Sequence, residues 1–449
     1  MRGRFEFMSL LFDAYPTCKP SGINWLGDVS TYWKVRRRAG AGGGGVVKCA
    51  SGSSGWKEFR SSMGIQQCIL CGRTLTSANS DREHTIPNAI GGRKTVTEFI
   101  CRSCNNKTGT NRDAELAGQL QSLSLLLGIK RQQGDVKPKR FPTSSGGEVE
   151  LHVDGKMTTV KPSHEITTEG NTTQLKIRAR STKELRKLLR GWQRKYPALK
   201  NRSMADLMSA VQTRSYYSPD LIDITLEFGG EKSGRSLVKS AMSLVFDAGI
   251  DPRECNLALD YLTQDNAQPC FGYSYDKDRD LVVNRPVGRP FHCVYVKGDS
   301  NSGTILGYVE LYSLQRMVLC LSDSYSGRDF QNLYAIDPVK GEEILIDIDL
   351  SLPMSEIRSA FDYEKYDIDV RLSAVDSLFG YVVEENFKRE RERVVKDAVA
   401  SAIEDSDAEP GEDLSDDQAH QITEKIMEKS IPFIQYNAER FLNASSPPT

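Results

Sequence analysis

The chain of 449 residues predicts an α+β protein: a small thiolate-clamped zinc module, then a basic region, then a larger mixed α/β domain. Three observations carry this reading. Two C-x-x-C pairs stand 29 residues apart near the front, strand-period and helix-period runs alternate behind them, and the charge changes sign along the chain. The length alone asks for two or three domains, because single hydrophobic cores stop growing well below it. With 39% hydrophobic and 27% charged residues the composition is that of a globular protein, not a disordered or collagen-like one. No apolar run reaches the 18 or so residues of a membrane span. Arg2 and Arg4 precede a short apolar patch, but Glu6 interrupts it and no small-residue cleavage site follows, so no signal peptide is read and a cytoplasmic location is expected.

The net charge of −1 conceals an asymmetry. Residues 63–205 hold 25 Lys/Arg against 12 Asp/Glu and residues 1–62 hold 10 against 4, which leaves 24 against 44 for residues 206–449. A basic front suits a polyanion such as nucleic acid. The acidic back would be repelled by one and reads as a sensor, oligomerisation or solubility module.

In chain order, residues 1–62 are expected to be a poorly structured extension, since the glycine run 39–45 and the segment Ser51-Gly-Ser-Ser-Gly55 are linker chemistry. Residues 63–130 form the cysteine module, closed by a helix over 113–127 with Leu116, Leu120, Leu123 and Leu127 at helical spacing. Residues 131–205 are a basic hairpin-helix region: strand-like runs over 149–160 and 173–179, a turn signal at Asp154-Gly155, and a helix opened by the capping box Ser181-x-x-Glu184 and stopped by Pro197. Residues 206–403 read as an acidic mixed α/β domain. Helices are expected over 204–213, 236–248, 252–262 and 388–403, and strands over 221–228, 291–296, 305–312, 317–322 and 343–348. Residues 404–449 are an acidic tether and a helix over 418–428. His292 and Cys293 lie in an apolar run and read as core.

Cys68, Cys71, Cys101 and Cys104 supply four soft ligands, each pair spaced to grip one tetrahedral Zn²⁺. Between the pairs stands Glu83-His84-Thr-Ile-Pro87-Asn-Ala-Ile-Gly91-Gly92, and Asn105 follows the last cysteine. With four thiolates filling the zinc shell, His84 is free for proton abstraction near neutral pH. Glu83 and Asn105 offer hard oxygens of the kind Mg²⁺ or Mn²⁺ accepts, with Asn106 an alternative ligand and Asn88 a candidate for orienting the His84 loop. Between residues 176 and 202 there are 11 basic residues and one acidic one. On the helix there, Leu185, Leu188, Leu189 and Trp192 form an apolar stripe, which leaves Lys183, Arg186, Lys187, Arg190 and Arg194 as a face for a phosphate backbone. Lys130, Arg131, Lys137, Lys139 and Arg140 could extend it.

The segment written C-x-x-C, E-H-x-x-P-x-x-x-G-G, C-x-x-C-N over residues 66–115 resembles the HNH endonuclease family in its four-cysteine zinc subgroup. The resemblance implies a ββα-metal fold, with a histidine-bearing hairpin packed on a helix. His84 corresponds to the general base, Glu83 to the acidic ligand of the catalytic divalent ion, and Asn105 to the terminal Asn. The central Asn of the family pattern is absent, Thr97-Glu98-Phe99 standing in its region with Glu98 as the substitute candidate. A shorter segment, Ser21-Gly-Ile-Asn-Trp-Leu-Gly27 followed by Trp33 and Arg36-Arg37, resembles DNA-specificity subunits of type I restriction enzymes. It reads as a fusion relic or an over-extended start, with Met63 the natural beginning. Together these imply a metal-dependent endonuclease acting on double-stranded DNA and leaving 5′-phosphate and 3′-hydroxyl ends. By analogy it would be an anti-phage or restriction-type effector, regulated by a nucleotide or protein at its C-terminal domain, with room for self-association. Alternatives are a non-catalytic four-cysteine zinc module that binds nucleic acid and a homing-type mobile-element enzyme.

Overall fold

The computed structural model describes residues 2–5, 67–169, 172–179, 182–209, 211, 217, 221–364, 366–406 and 413–444. Of the extension expected to lack structure, residues 2–5 form a strand, β1 (Arg2–Phe5), which pairs antiparallel with β9 (Ile224–Glu227). The restriction-like segment and the glycine run lie outside the described residues.

The cysteine module is a hairpin on a helix. Strand β2 (Ser80–His84) pairs antiparallel with β3 (Thr95–Cys101), and α1 (Arg102–Thr108) follows at once. The hairpin loop needs its two glycines. Gly91 has φ 99°, and a Cβ on Gly92 would lie 1.8 Å from the Ile86 carbonyl oxygen. The single helix expected over 113–127 is instead a π turn (Gly109–Asp113) and two short helices, α2 (Ala114–Gln119) and α3 (Gln121–Leu126), broken at Leu120. The four leucines of the expected stripe are nevertheless all buried.

The basic region holds a three-stranded antiparallel sheet, β4 (Lys139–Pro142), β5 (Glu148–Leu151) and β6 (Met157–Thr159). The expected run 149–160 is two of these strands, joined through Asp154-Gly155: Gly155 has φ 84° and the Lys156 N–H donates to Asp154 Oδ1. A second hairpin, β7 (Ser163–Glu169) and β8 (Thr172–Arg178), leads to the basic helix α4 (Thr182–Lys195). The capping Ser181 lies outside the described residues.

The elements after residue 221 are organised by α5 (Glu231–Asp247), buried from Ser233 to Phe246. Its serines and alanine allow close approach on several sides, whereas an amphipathic helix would face only one. On one side of α5 lies a six-stranded antiparallel sheet ordered β10 (Phe271–Tyr273), β13 (Gln315–Ser322), β12 (Thr304–Leu311), β11 (His292–Asp299), β14 (Phe330–Asp337), β15 (Glu342–Glu343). The sheet is buried on both faces: Val294 and Val296 of β11 join the core against α5, while Cys293 and Tyr295 join a second, smaller core. Strands β10 and β14 are absent from the sequence-based expectation. The strand expected over 343–348 contracts to two residues, and the helix expected from 252 splits into a 3₁₀ turn and α6 (Asn256–Thr263). Beyond α7 (Met354–Phe361), the expected helices over 388–403 and 418–428 are parts of α8 (Ile368–Glu404) and α9 (Asp416–Ala444), which pack together. No helix among the described residues is long and apolar enough to cross a membrane.

The cysteine module shares its core with the elements that follow it. Ile86, Ile90, Phe99, Ile100 and the leucines of α2 and α3 belong to the same continuous core as α5 and the sheet. Polar contacts seal the junction. The Tyr334 hydroxyl accepts from the Arg93 and Lys94 N–H groups, Lys94 pairs with Asp247 at 3.0 Å, and the Leu126 carbonyl accepts from Asn386 Nδ2.

His292, wholly buried, shows how this junction is read chemically. The Tyr312 N–H donates to Nδ1 at 2.9 Å, which leaves Nε2 as the protonated nitrogen, and Nε2 donates to the Ile90 carbonyl at 2.9 Å. Burial pushes its pKa down to about 4. Because the folded value lies below the unfolded value, the unfolded chain binds the proton more readily. His292 therefore adds nothing to acid resistance: the stability present above about pH 6.5 is lost as pH falls toward 4, by roughly 3 kcal/mol in all. The unfolding free energy of the full chain, measured in urea at pH 7, 6 and 5, should fall more steeply than that of a His292→Gln variant. Parallel pH dependences in the two proteins would refute this account.

Candidate active site and zinc cluster

The four cysteines converge as the hairpin closes. Cys68 and Cys71 sit on a turn in which the Gly72 N–H donates to the Cys68 carbonyl and Gly72 takes φ 67°. Cys101 ends β3 and Cys104 lies in the first turn of α1. Their sulfurs lie within 4.8 Å of one another, and Cys71 Sγ is 3.8 Å from Cys101 Sγ. A tetrahedron with Zn–S bonds of about 2.3 Å has edges of about 3.8 Å, so the donor set fits zinc.

Adjacent residues of β2 face opposite ways, and here that separates two chemistries. Glu83, 3% exposed, turns inward to α5. Its Oε1 meets Lys239 Nζ at 2.5 Å, and the same ammonium meets Asp113 Oδ2 at 2.6 Å and Thr108 Oγ1 at 3.4 Å. Ser236 Oγ donates to Asp113 Oδ1. Burial pushes the Glu83 carboxyl up to about 7; Lys239 opposes the shift and Asp113 adds to it. Burial also works against the charge on Lys239, but the two carboxylates outweigh it and hold the ammonium protonated. Glu83 and Asp113 share the one ammonium, and with its carboxyl at about 7 Glu83 carries only part of a negative charge at neutral pH. Lys239 thus fills the space between the two carboxylates and the Thr108 hydroxyl, and the second carboxylate oxygen of Glu83 is the hard donor of the kind a divalent cation accepts.

His84 is half-buried, and burial lowers its pKa, so the ring is neutral at pH 7. Its Nε2 lies 3.3 Å from Gln132 Oε1. The Gln132 N–H in turn donates to Asn88 Oδ1 at 2.9 Å, so Asn88 reaches the histidine through the 132–133 loop. Asn105 Nδ2 donates to the Arg82 carbonyl at 3.1 Å, tying α1 to the strand one residue before Glu83. Asn106 is exposed on α1, its carbonyl accepting from Thr110. Glu98, the substitute candidate for the missing Asn, is exposed and has φ 65° at the bulge that interrupts pairing between Ser80 and Arg82. Its backbone N–H donates to Ser80 Oγ, so the position shapes the hairpin.

Sequence reasoning missed Asp113, Ser236, Lys239 and Gln132. One signal was available: Lys239 is the lone charged residue in the run Ser236 to Phe246. A charge inside such a helix is buried only when paired.

On α4 the side chains of Lys183, Arg186, Lys187, Arg190 and Arg194 are all exposed while Leu189 is buried. Trp192 stacks on Tyr196 at 4.9 Å. The expected extension of this face is narrower than the sequence suggested. Arg131 donates to the Ala89 carbonyl and Lys139 to Ser122, whereas Lys130, Lys137 and Arg140 are exposed.

Zinc measured by atomic absorption on the purified full chain should be about one per molecule. Cys101→Ser should lose most of it and lower the melting temperature. Full zinc occupancy in that variant would exclude a zinc site built from the four thiolates.

Comparison with known proteins adds one match: residues 68–121 fit a family model described as HNH endonuclease. Searches of curated proteins and of solved structures return no match. With its hairpin-helix geometry and clustered thiolates, the segment 68–121 of this chain is a module of the HNH endonuclease family.

Proposed function

We propose that the protein is a divalent-metal-dependent endonuclease that hydrolyses phosphodiester bonds of DNA. The observation that carries this reading is the pairing on one strand of a neutral, partly accessible imidazole, His84, with a buried carboxyl, Glu83, inside a module that matches the HNH endonuclease family. Glu83, paired with Lys239 through Oε1, would offer its other carboxylate oxygen to the ion. Asn105, which the sequence offered as a ligand, serves in this reading to fix the strand that carries Glu83, with its remaining amide oxygen available. A bound Mg²⁺ or Mn²⁺ supplies Lewis-acid neutralisation of charge building on the phosphate and the departing 3′ oxygen.

The chain's own residues do the rest. His84 accepts the proton of the attacking water, and the lowered pKa keeps it available as a base at neutral pH. Gln132 fixes the ring from one side. The exposed basic face of α4 holds the phosphate backbone through charge, without base-specific readout, so weak sequence preference is expected. The acidic larger domain, to which the module is fused through a common core, is the site of control in this reading. An anti-phage or restriction-type role fits that plan by analogy alone.

Supercoiled plasmid should be nicked with Mg²⁺ or Mn²⁺ and left intact with EDTA, and His84→Ala should slow nicking by about 10²- to 10⁴-fold. Equal nicking by parent and variant would overturn the mechanism, and a protein that binds DNA without cutting it would be a zinc-stabilised binding module. Because protons compete with the cation at Glu83, activation should require more metal as pH falls below about 7. Changing Lys183, Arg186, Lys187, Arg190 and Arg194 of α4 to Gln should flatten the dependence of log affinity on log salt by roughly 0.9 for each phosphate no longer neutralised.

A further inference from the structure

A cavity of about 400 Å³ opens at the N-terminus of α5, outside the hydrolytic site. Its volume falls in the range of about 300–1,000 Å³ that takes a small molecule. Seven of its lining side chains are aromatic, and one is a guanidinium. Tyr273 stacks near Tyr275 at 6.3 Å and lies 6.0 Å from Tyr363, which is 46% exposed at the mouth. Arg371, 9% exposed, is held by the Tyr366 hydroxyl at 2.8 Å and sits 5.8 Å over the Phe228 ring. The rim is built from unusual backbone: Gly229 and Gly230 have φ 110° and 87°, and Asn266 and Tyr363 take φ 65° and 61° although they carry side chains. Left-handed non-glycine residues collect where a site must be shaped.

We propose that this cavity binds a nucleoside phosphate, with the base among the tyrosine rings and the phosphate at Arg371 and the first turn of α5. An apolar ligand would use the rings and leave the guanidinium unused. An inorganic anion would do the reverse. A nucleobase carrying a phosphate uses both. The first turn of α5 adds backbone N–H groups with no side-chain cap, and the one carboxylate at the rim, Glu231, is ion-paired with Arg235 at 2.8 Å. The cavity is also wired to the nuclease module. Gly229 exchanges two hydrogen bonds with Gln119, and Lys239, which grips Glu83, lies eight residues from Glu231 on the same helix, about 12 Å along its axis. Occupancy therefore bears on the carboxylate cluster through one rigid element; this second half rests on the nuclease reading, while binding does not.

The test is a melting-temperature titration of the full chain with AMP, GMP, CMP and UMP, with the matching nucleosides and inorganic phosphate as separate arms. At least one monophosphate at millimolar concentration should raise the melting temperature, its nucleoside should bind more weakly, and phosphate alone should give no shift. Tyr363→Ala, at an exposed position that spares folding, should weaken binding about tenfold or more. Arg371→Met should reduce the nucleotide to the affinity of its nucleoside. No shift with any of the four, a shift from phosphate alone, or a shift unchanged in both variants overturns the proposal. Nicking rates with and without the bound nucleotide read the coupling separately: a change supports it, and identical rates overturn it while leaving the binding result intact.

Discussion

One buried ammonium ties the HNH module to the helix at the centre of the shared core. Lys239 is almost wholly shielded from solvent and answers two carboxylates, Glu83 and Asp113, that arrive from different elements of the module. A buried charge is tolerable only when its partners are close and well aligned, and removing one member leaves the others uncompensated. The geometry of β2, the π turn and α5 is thus mutually fixed. The small residues spaced along α5, Ser236, Ser240, Ala241 and Ser243, let neighbours approach it closely beside its large apolar side chains.

The two ends of the module are secured by different physics. At one end, four thiolates form a clamp whose strength depends on metal and protonation. At the other, apolar side chains and directed hydrogen bonds to Ile90 and Leu126 join it to the sheet and to α8. The candidate catalytic strand lies between these anchors, with His84 facing outward and Glu83 inward. The strand's two side chains therefore stand in separate surroundings, His84 beside Gln132 and Glu83 against Lys239.

What the sequence disclosed was local chemistry. The cysteine spacing, Glu83-His84 and the paired glycines of the hairpin loop are encoded within a few residues of one another, and so was the apolar stripe of α4. Asp113 and Lys239 could not be joined in the same way, because their meeting depends on the docking of α5, more than a hundred residues along the chain. The run 343–348 misled for a related reason. Its alternation reflects burial of Ile346 against the second core, while beyond Glu343 the backbone pairs only in pieces, with Ala335 at Ile344 and with Val282 at Ile348. Strand β14 was hidden because its first half is only partly buried and polar. The break at Leu120 left no mark, since the leucine spacing stays in phase across it.

The continuity of the core has a consequence for how such a chain can change over generations. A cassette moves between unrelated proteins when its boundaries cross exposed linkers and few interactions. Here a cut on either side of residues 68–121 would strip Ile86, Ile90, Phe99 and Leu116 of their neighbours and leave Glu83 facing Asp113 without the lysine between them. The heritable unit is the hairpin together with α5, so divergence of the hairpin and of the helix that braces it must proceed in step.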